Sequence, residues 1–192
     1  MKAKTKAIVL ALCAVLLVAA SVLATLAFLK STDSAENTFT VGKVKITLDE
    51  AKAGEYGDVA DATVRVKGNE YKLIPGRKYA KDPTVHFAAG SEESYIFVKV
   101  ENGLAAIEAA GETTIAAQIT GNGWTALDGA AGVYYKQVEA NVNAEDYLVF
   151  GSFILADDAD VANHTDAKIT VTAYAIQADG FDSAAEAWAN AQ

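Results

Sequence analysis

Residues 39–48 read Phe-Thr-Val-Gly-Lys-Val-Lys-Ile-Thr-Leu, and their spacing decides the fold class. Phe39 and Val41 alternate with threonines; Val44, Ile46 and Leu48 alternate with Lys43, Lys45 and Thr47; the phase slips by one at Gly42. Period two marks a half-buried β-strand. One extra residue lets such a strand keep its apolar side inward, so a glycine bulge is expected at Gly42, with Lys43, Lys45 and Thr47 facing water.

Upstream of this strand the sequence carries an address. Lys2, Lys4 and Lys6 precede 23 uncharged residues, Ala7 to Leu29, the pattern of an export signal held lysine-end in the cytoplasm. At ~1.5 Å per residue the run would also reach across a ~30 Å hydrocarbon core, so an uncleaved membrane anchor is the alternative reading. Ser21, Ala24, Thr25 and Ala27 make its second half small and weakly apolar. Cleavage between Ala27 and Phe28 is therefore expected, although Ala24-Thr-Leu-Ala27 does not form a strict Ala-x-Ala box. Residues 1–27 are then a signal peptide, 28–36 a polar, flexible segment, and 37–192 one domain.

Removing 27 of 192 residues leaves 165, enough for one domain with a sizeable core. The chain has a net charge of −9; without the three leader lysines, 13 basic residues face 25 acidic ones, a net −12. Such a surface is a poor partner for nucleic acid or anionic lipid. If the leader is cut, no further segment ties the protein to a membrane. The single cysteine, Cys13, lies within the leader, so the mature chain has neither disulfides nor thiol chemistry and depends on packing.

Downstream, Ala51 to Asp61 reads as a loop, and Val64 and Val66 are expected to pair with Tyr71 and Leu73 across a turn at residues 67–70. Ile74-Pro-Gly-Arg77 fits a type II turn. Asp82-Pro83 opens a strand over 84–88. Tyr95 to Val100 is apolar on both faces and predicts a central strand covered on both sides. Thr113 to Ile119 predicts a short helix ended by Gly121. Residues 124–127 and 133–138 suggest strands joined around Asp128-Gly129, Tyr147 to Leu155 a long strand broken at Gly151, and Lys168 to Gln177 a cleanly alternating one. Ser183-Ala-Ala-Glu186 is a capping box before a helix over about 183–191 carrying Trp188, expected to pack on the sheets as a lid. Many short strands with frequent turns predict an all-β, jelly-roll-like antiparallel sandwich with one or two short helices, preceded by the signal helix.

Candidate chemistry is sparse. His86 sits between Val85 and Phe87 on the opposite strand face, and His164 in a polar loop; neither has a partner at metal-ligand spacing, and a zinc protease needs about three ligands and a base. Asp157, Asp158, Asp160 and Asp166 crowd one loop but lack an EF-hand's glycine and terminal glutamate, so a solvated acidic loop is expected rather than a calcium site. There is no Gly-x-Ser-x-Gly elbow and no phosphate-cradling loop. No catalytic residue, cofactor or metal is assigned, and the chain is not expected to be an enzyme. Trp124, Tyr134, Tyr135 and Tyr147 could form a sugar-stacking face, with cross-strand packing the plainer reading.

The leader ending ATLAFL (residues 24–29), followed by STDSAENTFTVGKVKITLDE (31–50), resembles the TasA/camelysin family, proteins exported with a SipW-type signal peptidase in Gram-positive bacteria. Residues 73–103, LIPGRKYAKDPTVHFAAGSEESYIFVKVENG, resemble the same family, in which a Pro-Gly turn precedes two such strands. The resemblance covers nearly the whole chain and implies a jelly roll, cleavage before Phe28, and a secreted subunit of the extracellular or biofilm matrix. It implies head-to-tail self-assembly: residues 28–36 would be mobile, and the strand over 37–48, with Phe39, Val41, Gly42, Val44, Ile46 and Leu48, would complete a neighbour's sheet. Other matrix components are candidate partners. The chain is shorter than TasA itself and richer in alanine. Camelysin relatives have been catalogued as metalloproteases, but two histidines without ligand spacing argue against that here. The alternative from a different class is a cell-surface binding module for a glycan or partner protein.

Overall fold

The computed structural model describes residue 6 and residues 12–17, 43–141 and 143–191. The chain falls into two compact units, Met1–Thr40 and Val41–Gln192. In the first, residues 12–17 are helical, with Leu12, Val15, Leu16 and Leu17 exposed. Among the described residues no helix is long and apolar enough to cross a membrane. The expected cleavage at Ala27 and Phe28, the segment 28–36, and Phe39, Val41 and Gly42 of the assembly strand lie outside the described residues.

The second unit is the expected all-β antiparallel sandwich, carrying two short helices. Its strands are β1 (Ile46–Ala53), β2 (Val59–Val66), β3 (Lys78–Ala80), β4 (Thr84–Phe87), β5 (Ser94–Asn102), β6 (Thr125–Ala126), β7 (Val133–Val138), β8 (Glu145–Leu148), β9 (Ser152–Ile154) and β10 (Ile169–Gln177). One sheet has the order β2-β1-β4-β8, the other β10-β5-β7-β6, and β3 with β9 forms a small third sheet. Lys43, Lys45 and Thr47 are exposed while Val44, Ile46 and Leu48 pack against the core, as their alternation requires.

Two expectations for residues 51–73 are corrected. Ala51, Lys52 and Ala53 are strand rather than loop, and β1 turns directly into β2 through residues 54–58, where the Gly54 N–H donates to Asp58 O at 2.8 Å. Val64 and Val66 therefore belong to a strand paired with β1, Glu50 opposite Val66, and not with Tyr71 and Leu73. Low β-propensity in Ala-Lys-Ala hid the continuation; two register irregularities between Ala51 and Ala53 let the hairpin close. Asn69 secures the following loop by accepting the Ala53 N–H and donating to the Ala51 carbonyl and Glu50.

The Pro75-Gly76 turn forms as read: the Arg77 N–H donates to Ile74 O at 3.2 Å, and Gly76 takes φ of 72°. β5 is central, paired along its length with β10 and over six positions with β7. Its Ile96, Val98 and Val100 face Val85 and Phe87 of the other sheet. Tyr95 and Phe97 point outward and are covered by the second helix. The stretch 147–155 is not one strand. Gly151 separates β8, paired with β4, from β9, paired with β3; Val149 and Phe150 between them, Phe153 within β9 and Leu155 just after it are all buried in the core.

Helix α1 (Ile115–Gly121) starts at Thr114, whose hydroxyl accepts the Ala117 N–H, and buries Ile115 and Ile119. Gly121 is its last residue, as expected, and Gly123 makes the turn beyond it. Gly123, at φ 77°, donates to Thr120 O and the Trp124 N–H to Ile119 O, the Schellman pattern that brings buried Trp124 against buried Ile119. Helix α2 (Ala184–Ala191) is the expected lid. The Glu186 N–H donates to Ser183 Oγ at 3.2 Å, and the Glu186 carboxylate accepts from Asp182 N, one residue before the position a strict capping box uses. Trp188 lies 5.2 Å from Phe97 and 5.1 Å from Tyr174, ring to ring, closing a second, outer core.

Candidate functional site

Two features of the domain stand out: an incomplete side of the sandwich, and a line of charges across its first sheet. β1 lies across from β10, and β2 continues the first sheet outboard of β1. Among the described residues no strand lies outboard of β10, which pairs only with β5. The two four-stranded sheets are thus offset, with β2 outboard of the strand that faces β10. Val64 and Val59 on β2 remain 42% and 51% exposed.

Between β1 and β10, bordered by residues 67–73 and 165–168, runs a groove of about 950 Å³. Its apolar lining includes Ile46, Leu48, Leu73, Phe153, Val171 and Ala173, and Lys67 and Lys168 border it. β10 itself, Ile-Thr-Val-Thr-Ala-Tyr-Ala-Ile-Gln, has no charge and no proline over nine residues. Those are the devices by which edge strands normally avoid pairing. The opposite side of the sandwich is stitched shut: the Trp124 Nε1–H donates to Leu148 O at 2.8 Å, Asn122 Nδ2 to Val149 O at 3.0 Å, and Lys136 Nζ lies over the Trp124 and Tyr147 rings. Burial there pulls the Lys136 ammonium below its ordinary value.

The groove floor holds a charge pair. Lys81 Nζ and Glu50 Oε2 are 2.5 Å apart, and Asn69 Nδ2 donates to the other glutamate oxygen at 2.8 Å. The ammonium and carboxylate offset each other's desolvation, which lets both sit under apolar residues.

On the outer face of the first sheet, one charged side chain from each strand joins a continuous line in strand order. Arg65 on β2 donates Nε–H to Asp49 on β1 at 2.7 Å; Asp49 Oδ1 also meets His86 Nε2 on β4 at 2.8 Å; His86 Nδ1 meets Asp146 on β8 at 2.6 Å. Asp82, just before β4, takes a second Arg65 N–H at 2.8 Å. Burial pulls the His86 imidazolium down, but the two carboxylates outweigh it and raise it above its ordinary value. Burial works the other way on Asp49, and His86 and Arg65 overcome it, holding that carboxyl below the usual range. His86 thus lies on the face opposite Val85 and Phe87, as its sequence context suggests, but there it is held by two carboxylates. Its partners lie 37 and 60 residues away.

The other predicted positions do not converge. Trp124 is buried, Tyr134 packs into the inner core and neighbouring Tyr135 into the outer one, so these rings and Tyr147 do not share a face for a sugar. In the acidic loop, Asp160 accepts from Asn163 Nδ2, and His164 Nδ1 lies 2.9 Å from Asp160 O. Among the described residues no group of three or more His, Cys, Asp or Glu is placed to hold a metal ion. Of the assembly strand, Ile46 and Leu48 are in β1, where Ile46 and Leu48 pair with Phe87 and Val85 and the strand continues into the β2 pairing. No protein-family model, curated protein or solved structure matches the chain.

Proposed function

We propose that this chain is an exported structural subunit of a Gram-positive extracellular or biofilm matrix, of the TasA/camelysin kind, built by head-to-tail strand addition. The observation that carries the reading is the uncharged edge of β10, unpaired among the described residues, beside an apolar groove that β1 and the 67–73 loop line on its other side. An incoming strand would hydrogen-bond to β10 and put alternate side chains into the groove, which is β-augmentation. Because β1 is engaged with β4 over Ile46–Asp49 and with β2 over Glu50–Ala53, and the Lys43 carbonyl accepts the Glu92 N–H, the donor must lie ahead of Lys43. Residues 28–42 supply Phe39 and Val41 for the groove, and Asp33 and Glu36 for the rim lysines, Lys67 and Lys168. Removal of the leader by a signal peptidase after Ala27 would free that segment at the amino terminus, and its contact with the next copy does not close on itself. Other matrix components are candidate partners at the two free ends of such a fibre.

Electron microscopy of purified chain beginning at Phe28, concentrated without ligand, tests the reading. Filaments are expected, and both deletion of residues 28–36 and Ala173→Lys, which projects an ammonium into the groove, should abolish them while the melting temperature of the monomer changes little. Filaments that persist in both variants would sink the strand-addition mechanism; a monomer at all concentrations would remove the self-assembling subunit.

A further inference from the structure

The charge line across the first sheet has one member whose charge can change near neutral pH. Arg65, Asp49, His86 and Asp146 alternate in sign only when His86 is an imidazolium. Both of its ring nitrogens face carboxylate oxygens, at 2.8 Å and 2.6 Å. A neutral imidazole has a single N–H, so its other nitrogen would turn a lone pair toward a carboxylate. Two short carboxylate contacts on one ring are therefore the geometry of the doubly protonated form.

We infer that His86 is a proton-operated staple of the first sheet, joining β8 to β1 as the imidazolium and, on losing its proton to solvent, keeping Asp49 and releasing Asp146. The choice between the two follows from their surroundings. The Asp49 side chain is 21% exposed and also held by Arg65, whereas the Asp146 side chain is 66% exposed, so water can replace the histidine there at little cost. The neutral ring then carries its hydrogen on Nε2. The charged groups facing the ring are Asp49 from β1, Arg65 from β2 through Asp49, Asp82 through Arg65, and Asp146 from β8; beside Asp146, the Glu145 carboxylate is occupied by the Tyr147 hydroxyl. The strand released is the vulnerable one. Among the described residues β8 is an edge of four residues paired only with β4, His86 directly opposite Asp146. Losing its side-chain tie exposes that edge to fraying.

The test is nitrogen-15 NMR of the purified chain across the pH range, folded and in urea. The His86 ring nitrogens should titrate at a higher pH folded than unfolded, the neutral form should carry its hydrogen on Nε2, and Asp146→Asn should lower the folded midpoint. Amide exchange over residues 145–148, corrected for intrinsic base catalysis, should rise relative to β10 as pH passes that midpoint, and this rise should be absent in His86→Gln. A folded midpoint at or below the unfolded one, a neutral form protonated on Nδ1, or β8 exchange that tracks β10 would each overturn the staple.

Discussion

Lys81 and Glu50 meet at 2.5 Å at the floor of the groove, their side chains only 9% and 4% exposed. Removing one partner strands the other. Lys81→Met should cost about 3–5 kcal/mol by chemical denaturation, because the carboxylate stays buried with Asn69 as its remaining donor, while the double variant Glu50→Leu/Lys81→Met should recover most of the loss. A single variant as stable as the parent would mean the pair is solvated.

The His86 staple has a signed pH dependence. A group raised on folding contributes fully below its unfolded value, about 6.5 for histidine, and loses its contribution as pH rises through the folded value. The parent should therefore exceed His86→Gln in stability by about 1 kcal/mol in mildly acid solution, above the range where Asp49 protonates, and the gap should close on the alkaline side. Urea titrations at a series of pH values measure the gap directly.

Trp188 is the keystone of the outer core, tilted against Phe97 and edge-on to Tyr174. Trp188→Ala should cost about 2–4 kcal/mol, since truncation loses apolar burial and leaves a cavity over β5. Loss of α2 helicity together with an otherwise intact sheet, read by amide exchange, would accompany it.

Gly57 abuts Tyr79: a Cβ built there would lie 2.5 Å from the tyrosine Cδ1 and 2.7 Å from its Cα. Because one of those atoms is backbone, the ring cannot simply swing away. Gly57→Ala should lower stability by about 2 kcal/mol or more, and thermal melting is the measurement.

Much of this domain was legible locally. The strands near 84–88, 95–100 and 168–177 were marked by period and apolar content, the turn at Pro75-Gly76 by backbone chemistry, and the lid by Ser183 and Glu186. The misreadings at Ala51–Ala53 and at Val64 and Val66 have one cause. A small or polar segment becomes strand when a neighbour offers a ladder, and the neighbour that won, β1, was not the one nearest by turn chemistry. Gly121 is the last helical residue, as read, but the turn that follows is made by Gly123, which brings Trp124 onto Ile119.

The functional features divide the same way. The expectation of export, the place of the single cysteine at position 13 and the uncharged run over 169–177 are read from residue order alone, because each depends on composition within a short window. The groove, the buried Lys81–Glu50 pair and the line Arg65–Asp49–His86–Asp146 are not. They arise from the strand orders β2-β1-β4-β8 and β10-β5-β7-β6, which bring together residues from four strands and, among the described residues, leave β10 at the edge of its sheet. Alternation along a strand says which side chains share a face; only the pairing of strands decides whose charge lies beside whose, and which edge is left open.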